Sequence, residues 1–355
     1  MINLKEFKEN GSSHIEELIR EGIANGSRTA TVKGNWEIAS AIRIPDHFKL
    51  ILDGCHLKMK DGVYSNMFVN LHHDTEEGKT IAGRDFEISI LGIHDPILDG
   101  GNYNGLSEKN ASKNGLPPIW KNNLILFTNV ENFEMSGFSC HNQRWWALNF
   151  LFCSHGKLHD LSFKACDIGI DSDGNIYHGL KRGSYSEVLV KNADGIDLRQ
   201  GCHDITIENI SGFTEDDSIA LTALQGRVEN AFEVEDLPKD ICHITIRNIQ
   251  TAAYWANVRL LNQEAIPLHD ILIDGVYDMA EESPYLDRGA YGVRIGDKKL
   301  YGSRHSLEDE TYNITVRNVR SFGIYAAVSL VGAMKNITVE NIECIGDTLQ
   351  LEDLR

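Results

Sequence analysis

The sequence contains no long hydrophobic run and no pattern of a leader. No apolar stretch approaches the roughly 18 residues that a membrane-spanning helix needs, although 42% of the residues are hydrophobic. The first ten residues, Met1–Asn10, are polar and charged, which is not the pattern of a secretory signal. We therefore expect no membrane as a partner and a cytoplasmic protein, unless the sequence is that of a trimmed secreted chain.

Basic residues are also scarce. The chain of 355 residues has 34 Lys and Arg against 52 Asp and Glu, which gives a formal net charge of -18 at pH 7. Such acidity argues against nucleic acid or an anionic membrane as the main partner, because both attract positive protein surfaces. It also disfavours a polyanionic substrate unless the binding groove is locally basic.

Paired cysteines and cofactor motifs are missing as well. The seven cysteines are odd in number and form no CxxC pair, which is typical of reduced, mostly buried thiols. No glycine-rich phosphate loop lies between a strand and a helix, and no His or Cys spacing is typical of a metal site. We expect no cofactor and no metal. No linker divides the chain, so residues 1–355 are predicted to form a single domain.

A short repeated pattern indicates the fold. Each copy alternates apolar with polar residues, which is the period of a β-strand. Ile314 and Ile337 begin two copies 23 residues apart, and a repeat of this length with several short strands predicts an all-β solenoid. The clearest copies are ITIENI (205–210), ITIRNI (244–249), ILIDGV (271–276), ITVRNV (314–319) and ITVENI (337–342).

Two further features complete this prediction. Four asparagines share one repeat position, and we expect them to stack as a ladder at a turn and to satisfy buried backbone groups; they are Asn209, Asn248, Asn318 and Asn341. Longer intervals indicate loop inserts near residues 168–187, 225–240 and 280–310, which we expect to wall a binding groove.

The N-terminal segment predicts a cap for the open end of the solenoid. Residues 12–25 read as an amphipathic helix that is capped by Ser12 and Ser13 and ended by Gly26. Its apolar face would consist of Ile15, Leu18, Ile19 and Ile23. Such a helix would cover strand edges that otherwise invite association. Strand-like runs follow directly, namely TATVKG, AIRIP and KLILDGCHLKM.

Several segments together resemble the polygalacturonase-like glycoside hydrolases, a pectin-degrading family. The likeness covers nearly the whole chain. NADGIDL (192–198) and EDDSIAL (215–221) are similar to the family motifs N-T-D-G-I-D and G-D-D-x-I-A, and their interval matches as well. ISILGIHDPILDGGNYNG (88–105) and the run 123–150 resemble earlier turns of the family. The resemblance implies a right-handed parallel β-helix that hydrolyses a glycosidic bond with inversion.

Three aspartates are the catalytic candidates. Asp194 and Asp216 are 22 residues apart, about one solenoid turn, and Asp217 follows directly. Because stacked coils lie roughly 4.8 Å apart, side chains at matching positions are close together, and a bend or bulge must turn both adjacent aspartates to one groove. Crowded carboxylates raise the pKa of at least one of them, and glycoside hydrolysis needs one protonated acid and one ionised base. The resemblance implies that Asp216 is the general acid and that the other two activate water.

The sequence departs from the family in two places. Tyr254 and Trp255 stand where the family's G-H-G histidine would fall. Arg294 matches the arginine of the family's R-I-K motif, but Gly296 replaces its lysine. Because Arg and Lys bind the sugar carboxylate in the family, a neutral or differently decorated glycoside becomes a candidate substrate.

Cations and aromatic residues near these motifs are the candidates for binding substrate. Aromatic faces can stack on sugar rings, and guanidinium groups bind acidic substituents. Each of these residues could instead serve packing. The candidates are Arg294, Arg259, Arg199, Trp255, Tyr254, Arg144, Trp146 and His203.

Three functions stay open from the sequence. We favour an inverting glycoside hydrolase that acts, in exo fashion, on a pectin-derived or related oligosaccharide, because loops that close a groove select short substrates. The second is a polysaccharide lyase or epimerase on the same scaffold, which would use Ca²⁺ held by carboxylates. The third is a non-catalytic carbohydrate-binding β-helix. An oligosaccharide is the expected partner in each, and a homo-oligomer remains open.

Overall fold

The structure, a computed structural model, describes residues 6–101, 122–143, 146–165, 194–224, 232–280, 289–346 and 348–355, with the backbone of two short strands at 169–170 and 176–177. It is a right-handed parallel β-helix, as the sequence predicts. Two long parallel sheets face each other, and each coil of the chain adds one strand to each sheet in turn. The main hydrophobic core of the described residues runs between the sheets along the solenoid axis.

The first sheet has twelve strands, whose inward residues alternate with outward ones. They are β1 (Thr29–Ile38), β3 (Phe48–Met59), β5 (Asp85–Ile93), β6 (Ile97–Asp99), β8 (Val130–Ser136), β9 (Ser139–His141), β11 (Ser154–Lys164), β15 (His203–Thr214), β17 (Ile241–Ala253), β19 (Leu268–Asp278), β21 (Thr311–Ser321) and β23 (Lys335–Cys344). All the predicted repeat copies lie in this sheet.

The second sheet has ten shorter strands and carries the residues of most interest below. They are β2 (Ile42–Ile44), β4 (Phe68–Asn70), β7 (Ile125–Thr128), β10 (Leu148–Leu151), β14 (Ile196–Leu198), β16 (Ile219–Ala223), β18 (Ala256–Asn262), β20 (Tyr291–Ile295), β22 (Ala326–Val331) and β24 (Leu349–Leu354). A separate antiparallel pair, β12 (Gly169–Ile170) and β13 (Ile176–Tyr177), and a 3₁₀ turn at Glu77–Lys79 complete the elements.

Isoleucine stacking explains why the repeats stay in register. Ile205, Ile244, Ile271 and Ile314 pair in sequence across β15, β17, β19 and β21, and each is at most 3% exposed. A slip of one residue would turn every such side chain to the solvent, so burial of this column fixes the register.

The predicted insert at 280–310 is interrupted by a strand. β20 lies inside it and separates residues 281–288, which are outside the described part of the chain, from the loop that follows Ile295. The motif that contains Arg294 is therefore a regular strand of the second sheet.

The asparagine ladder forms, but not in the predicted way. Asn248 Nδ2 donates to Asn209 Oδ1 at 2.8 Å, and Asn341 Nδ2 donates to Asn318 Oδ1 at 2.6 Å. Gly275 occupies the position between these pairs. The four asparagines have positive φ angles of 50–58°, which asparagine tolerates better than most residues. Three of them are exposed and Asn318 is half-buried. Their amides donate to asparagine or aspartate side chains, so the expectation that they satisfy buried backbone groups is wrong.

The cap helix α1 spans Gly11–Ala24 and covers the N-terminal end of the solenoid. Ile15 and Ile19 are buried against the core, whereas Ile23 is 42% exposed, contrary to the prediction. Ser12 does not cap the helix: it lies within the first turn, and its hydroxyl accepts hydrogen bonds from the backbone N–H groups of Ala39 and Ser40. This helix thereby anchors to the chain that follows β1.

Two further expectations from the sequence concern membrane-spanning helices and the state of the cysteines. Among the described residues, the helical part is too short and too polar to cross a bilayer. Six of the seven cysteines lie in the described part, and all six are free; Cys55, Cys140, Cys153 and Cys202 are buried.

The burial of Ile15 predicts how much the cap contributes to stability. Its side chain is fully buried, so Ile15→Ala should lower the free energy of unfolding by about 2–5 kcal/mol. Ile23→Ala, on the exposed side of the same helix, is the matched control and should change it by less than about 0.5 kcal/mol. Urea denaturation measures both, and equal effects would show that α1 does not pack as described.

Candidate active site

The three aspartates lie at one corner of two successive coils. Asp194 directly precedes the β14 corner, and Asp217 occupies the same position one coil later, because β14 and β16 pair Ile196 with Ile219. Asp216 lies in the bend that joins β15 to β16. One carboxylate oxygen from each residue lies within 4.8 Å of the others. The structure therefore brings the three predicted aspartates together at one corner.

Local sequence permits this close approach. Glycine is required at position 195, because a Cβ there would lie 2.4 Å from the backbone oxygen of Ser218 in the next coil. The hydroxyl groups of Thr214 and Ser218 are 2.9 Å apart and share a hydrogen bond across the bend. The Asp-Gly sequence that resembles an ordinary turn is thus also the place where two coils touch.

Backbone amides hold the two buried carboxylates in place. The Asp217 N–H donates to Asp194 Oδ1 at 3.0 Å, and the Ala256 N–H donates to Asp217 Oδ1 at the same distance. Trp255 N–H donates to the backbone oxygen of Asp216 at 3.2 Å. Each coil therefore orients the acid of the coil before it, and no flexible side chain is needed for this.

Burial and mutual repulsion raise the proton affinities of Asp194 and Asp217 above that of a free aspartate. Asp194 and Asp217 are 4% and 8% exposed, whereas Asp216 is half-buried. Burial raises the pKa of the Asp194 carboxyl well above its ordinary value, and the charge of Asp197 raises it further, followed by the charges of the other two aspartates. Burial also raises the pKa of Asp217; Asp216 adds to this shift, and the Arg259 cation opposes it.

A groove of about 440 Å³ opens over this cluster. Its walls combine acids, cations and aromatic rings, and it falls in the size range of small-ligand sites. The lining residues are Trp146, Asp194, Arg199, Glu215, Asp216, Asp217, Ala220, Thr222, Leu224, Tyr254, Trp255, Arg259, Leu261, Lys299 and Tyr301.

Arg199 and Trp146 form one wall of the groove. The Arg199 guanidinium carbon lies 4.0 Å from the centre of the Trp146 ring, and Arg199 Nη2 donates to Asp197 Oδ1 at 2.7 Å. Both side chains are almost fully buried. Stacking and ion pairing fix this guanidinium, so it presents a rigid positive edge to the groove.

Arg259 and Arg294 stack on successive strands at the opposite wall of the groove, which Arg259 lines and Arg294 lies behind. β18 and β20 pair these two residues directly. Asp297 lies between them: Arg259 Nη2 donates to Asp297 Oδ2 at 2.8 Å, and Arg294 Nε lies 3.5 Å from the same oxygen. Arg294 also covers the Tyr291 ring at 4.4 Å. Arg294 is 4% exposed and does not line the groove, so the structure does not bring this predicted substrate-binding residue to the cavity surface.

The remaining predicted residues divide into three groups. Tyr254 and Trp255 line the groove, at the corner one coil after Asp216. His203 does not: it begins β15 in the first sheet, beyond the far end of β14, where its Nδ1 lies 2.7 Å from Asp204 Oδ2. Arg144 lies outside the described residues.

Sequence reasoning missed Lys299 and Tyr301. Both lie in the loop after β20 and line the groove. The Lys299 ammonium is exposed and pairs with no carboxylate among the described residues. Gly296 stands two residues after Arg294, where the family motif has a lysine, but Lys299 lines the groove from three residues further along. Glu215, buried beside Asp216, was missed as well.

Comparison with known families decides the class of the protein. A model of glycosyl hydrolases family 28 matches residues 36–233, more than half of the chain. The chain belongs to glycosyl hydrolases family 28. It is therefore a glycoside hydrolase, and the lyase, epimerase and non-catalytic alternatives lose their main support. No curated protein matches the family 28 chain in sequence.

Solved structures share the fold of this family 28 chain at low identity. An exopolygalacturonase from Thermotoga maritima is 13% identical with a TM-score of 0.54, and the match covers 97% of this chain and 86% of that one. A tailspike protein of E. coli bacteriophage HK620, in complex with a pentasaccharide, is 14% identical with a TM-score of 0.56. That match covers 96% of this chain but only 61% of the tailspike, so the chain spans less than two thirds of the tailspike's length.

The raised pKa of Asp194 predicts a stability cost in this family 28 hydrolase. The folded state binds the Asp194 proton more tightly than the unfolded chain, whose pKa is about 3.9. Binding of this proton therefore favours the folded state fully below about pH 3.9. That contribution is lost as the pH rises through the raised pKa of the folded state, and above it the buried charge is a cost. Asp194→Asn keeps an acceptor for the Asp217 N–H and should stabilise the fold at pH 7 by on the order of 1 kcal/mol.

Thermal melting at pH 4 and pH 7 measures this effect, and the gain should shrink at the lower pH. Asp274→Asn is the matched control, because hydrogen bonding from Arg317 lowers the pKa of Asp274. Neutralising Asp274 should leave stability at pH 7 unchanged or reduced. A loss of stability in Asp194→Asn would mean that the carboxylate of Asp194 is favourably solvated.

Proposed function

We propose that the protein hydrolyses a glycosidic bond in a pectin-derived or related acidic oligosaccharide, with the aspartate cluster as its catalytic machinery. The observation that carries this proposal is the meeting of three carboxylates within 4.8 Å in a groove that is open to solvent. Two of them are buried with raised pKa values, and perturbed acids in a cleft are typical of catalytic sites. Membership of family 28 supports the same reaction class.

The roles follow from exposure and resemblance. Asp216 is the more exposed acid at the mouth of the cluster, and we assign it the transfer of a proton to the leaving oxygen. Asp194 and Asp217 share one water-activating role, because they stack on successive coils and the charge of Asp217 raises the pKa of Asp194. Together they would hold a single proton. The pair then keeps one negative charge, which can take the proton of the attacking water.

Inversion at the anomeric carbon is the stereochemical part of the proposal, and it rests on the family resemblance. The carboxylate spacing alone points the other way, since inverting pairs are generally about 6.5–9.5 Å apart and retaining pairs about 5–5.5 Å. We favour inversion because two of the three acids are stacked and can act on one water together. A retaining enzyme would need one of them alone as nucleophile.

The substrate class follows from the cations of the groove. Despite the net charge of -18, Arg199, Arg259 and Lys299 line the cavity. Both guanidinium groups are already engaged by protein carboxylates, Asp197 and Asp297. Lys299 is the cation that can bind a sugar carboxylate, in place of the lysine that Gly296 replaces. An acidic sugar is therefore our proposed substrate, and the loops around the groove favour short chains and exo action.

Asp216→Asn should reduce kcat on acidic oligosaccharides by on the order of 10³-fold, because it removes the proposed general acid without changing shape. Asp53→Asn is the control and should keep full activity, because Asp53 is a half-buried acid on β3 that pairs with Lys33 and His94 and does not line the groove. The assay compares oligogalacturonides with neutral galactose oligomers and follows the first-formed anomer by NMR. Near-normal turnover in Asp216→Asn would remove Asp216 from the mechanism. A product with retained configuration would disprove inversion.

Lys299→Met should raise KM for acidic oligosaccharides by about tenfold, the low end for a charge-assisted hydrogen bond because the ammonium is exposed. Neutral oligomers should show the same KM as with the wild type. Lys298→Met is the matched control, since Lys298 is exposed, lies 3.7 Å from Glu352 and does not line the groove. Steady-state kinetics on both substrate classes measures this, and an equal effect on acidic and neutral oligomers would contradict recognition of a carboxylate.

A further inference from the structure

A cluster of histidines lies at the corner where β11, β15 and β17 begin, away from the groove. His155 and Asp204 occupy the same position on successive coils, because β11 and β15 pair Ser154 with His203 and Gly156 with Ile205. His243 holds that position on the next coil. His203 lies beside Asp204. The carboxylate of Asp204 is therefore surrounded by three imidazoles from three coils.

The geometry points to a site for a divalent transition-metal ion of the Zn²⁺ class, and we propose that His155, His203 and Asp204 are its ligands. One nitrogen of each imidazole and one oxygen of Asp204 lie within 4.8 Å of one another. In a tetrahedral zinc site with bonds of about 2.1 Å, ligand atoms are roughly 3.4 Å apart. His155 and Asp204 are exposed, so small side-chain rotations can make this contraction.

The chemistry of the cluster favours zinc over calcium or magnesium. Two imidazoles and one carboxylate match the ligands of zinc sites, whereas calcium and magnesium prefer oxygen alone. The net charge of -18 also concentrates cations near the surface.

The ring of His155 has no other structural task in the described part of the chain. It makes no hydrogen bond there, and its contact is the ring of His203, at 5.8 Å between centroids in an edge-to-face arrangement. His243 is a further ligand candidate, since its Nδ1 lies 3.7 Å from Asp204 Oδ1. A metal here would join two or three coils of the first sheet on their outer side. We expect such a metal to affect stability and not the reaction. Its ligands lie at the corner after the second-sheet strand of each coil, whereas Asp194 lies at the corner before β14.

The spacing of the ligands explains why this site cannot be recognised from the sequence. His155 is 49 residues before Asp204, far outside the short intervals of familiar zinc motifs. Only the coil-to-coil register brings the two together. The site is independent of the proposed reaction, and its test needs no substrate.

The test is titration of untagged, chelator-treated protein with zinc chloride by isothermal calorimetry. We expect one saturable site with a micromolar dissociation constant, and a rise in melting temperature when zinc is added. His155→Ala and His203→Ala should each weaken binding at least tenfold. His159→Ala is the matched control, because His159 and Asp160 form the same His–Asp pair, at 2.6 Å, outside the cluster; it should bind zinc as the wild type does.

Two further measurements separate this site from the acidic groove and from folding defects. Asp216→Asn should keep the zinc site, and magnesium chloride should not compete for it. X-ray absorption of the zinc-loaded wild type should show imidazole nitrogens at about 2.0–2.1 Å from the metal. This measurement does not depend on whether the variants fold. The proposal is overturned if the wild type binds no zinc saturably, if the two histidine variants bind it unchanged, or if imidazole is absent from the metal's coordination shell.

Discussion

The parallel pairing of β14 with β16 is the constraint on which the proposed chemistry depends. It puts Asp194 and Asp217 at one position of adjacent coils, and the neighbouring coil spacing of roughly 4.8 Å leaves them no room to separate. The amide of Asp217 is bonded to Asp194, and the amide of Ala256 is bonded to Asp217. The same hydrogen-bond ladder that builds the solenoid therefore forces like charges together, and the isoleucine column in the opposite sheet keeps that ladder from slipping.

On the proposed function, the catalytic cluster carries a cost in stability. The buried carboxylates of Asp194 and Asp217 hold protons more tightly than the unfolded chain does, and unequal proton affinities within one cluster are what a division into acid and base requires. The long hydrophobic core between the sheets supplies the compensating stability. Rigid supports surround the cluster: Arg199 is held between Trp146 and Asp197, and Arg259 is held by Asp297. Lys299 differs from these, because its ammonium is exposed and can respond to substrate.

Much of the fold could be predicted, because alternation and a near-constant repeat are local properties of the sequence. The strands that contain ITIENI and its copies are where the pattern put them, and the cap helix begins within one residue of its predicted start. The aspartates could be predicted for the same reason, since their separation is one repeat. Details that depend on packing could not be predicted: Ile23 belongs to the apolar pattern of the helix, yet it is 42% exposed.

The errors at the site have a common physical origin. His203 is close in sequence to the aspartate motif, but the chain turns into the other sheet between Leu198 and His203, so nearness along the chain misleads there. Lys299 was missed because a loop carries it, and loops follow no repeat. Arg294 keeps the position of the family's arginine, yet its guanidinium contacts Asp297 and the Tyr291 ring and does not line the groove.

The direct test of the central claim is a pH titration of aspartate side-chain carboxyls by ¹³C NMR, with resonances assigned through Asn variants. We predict that Asp194 and Asp217 titrate well above the ordinary value of about 3.9, and that removing either charge lowers the pKa of the other. Independent titration of all three aspartates near the ordinary value would contradict the account, because the acids would then be neither buried together nor able to divide the roles of acid and base.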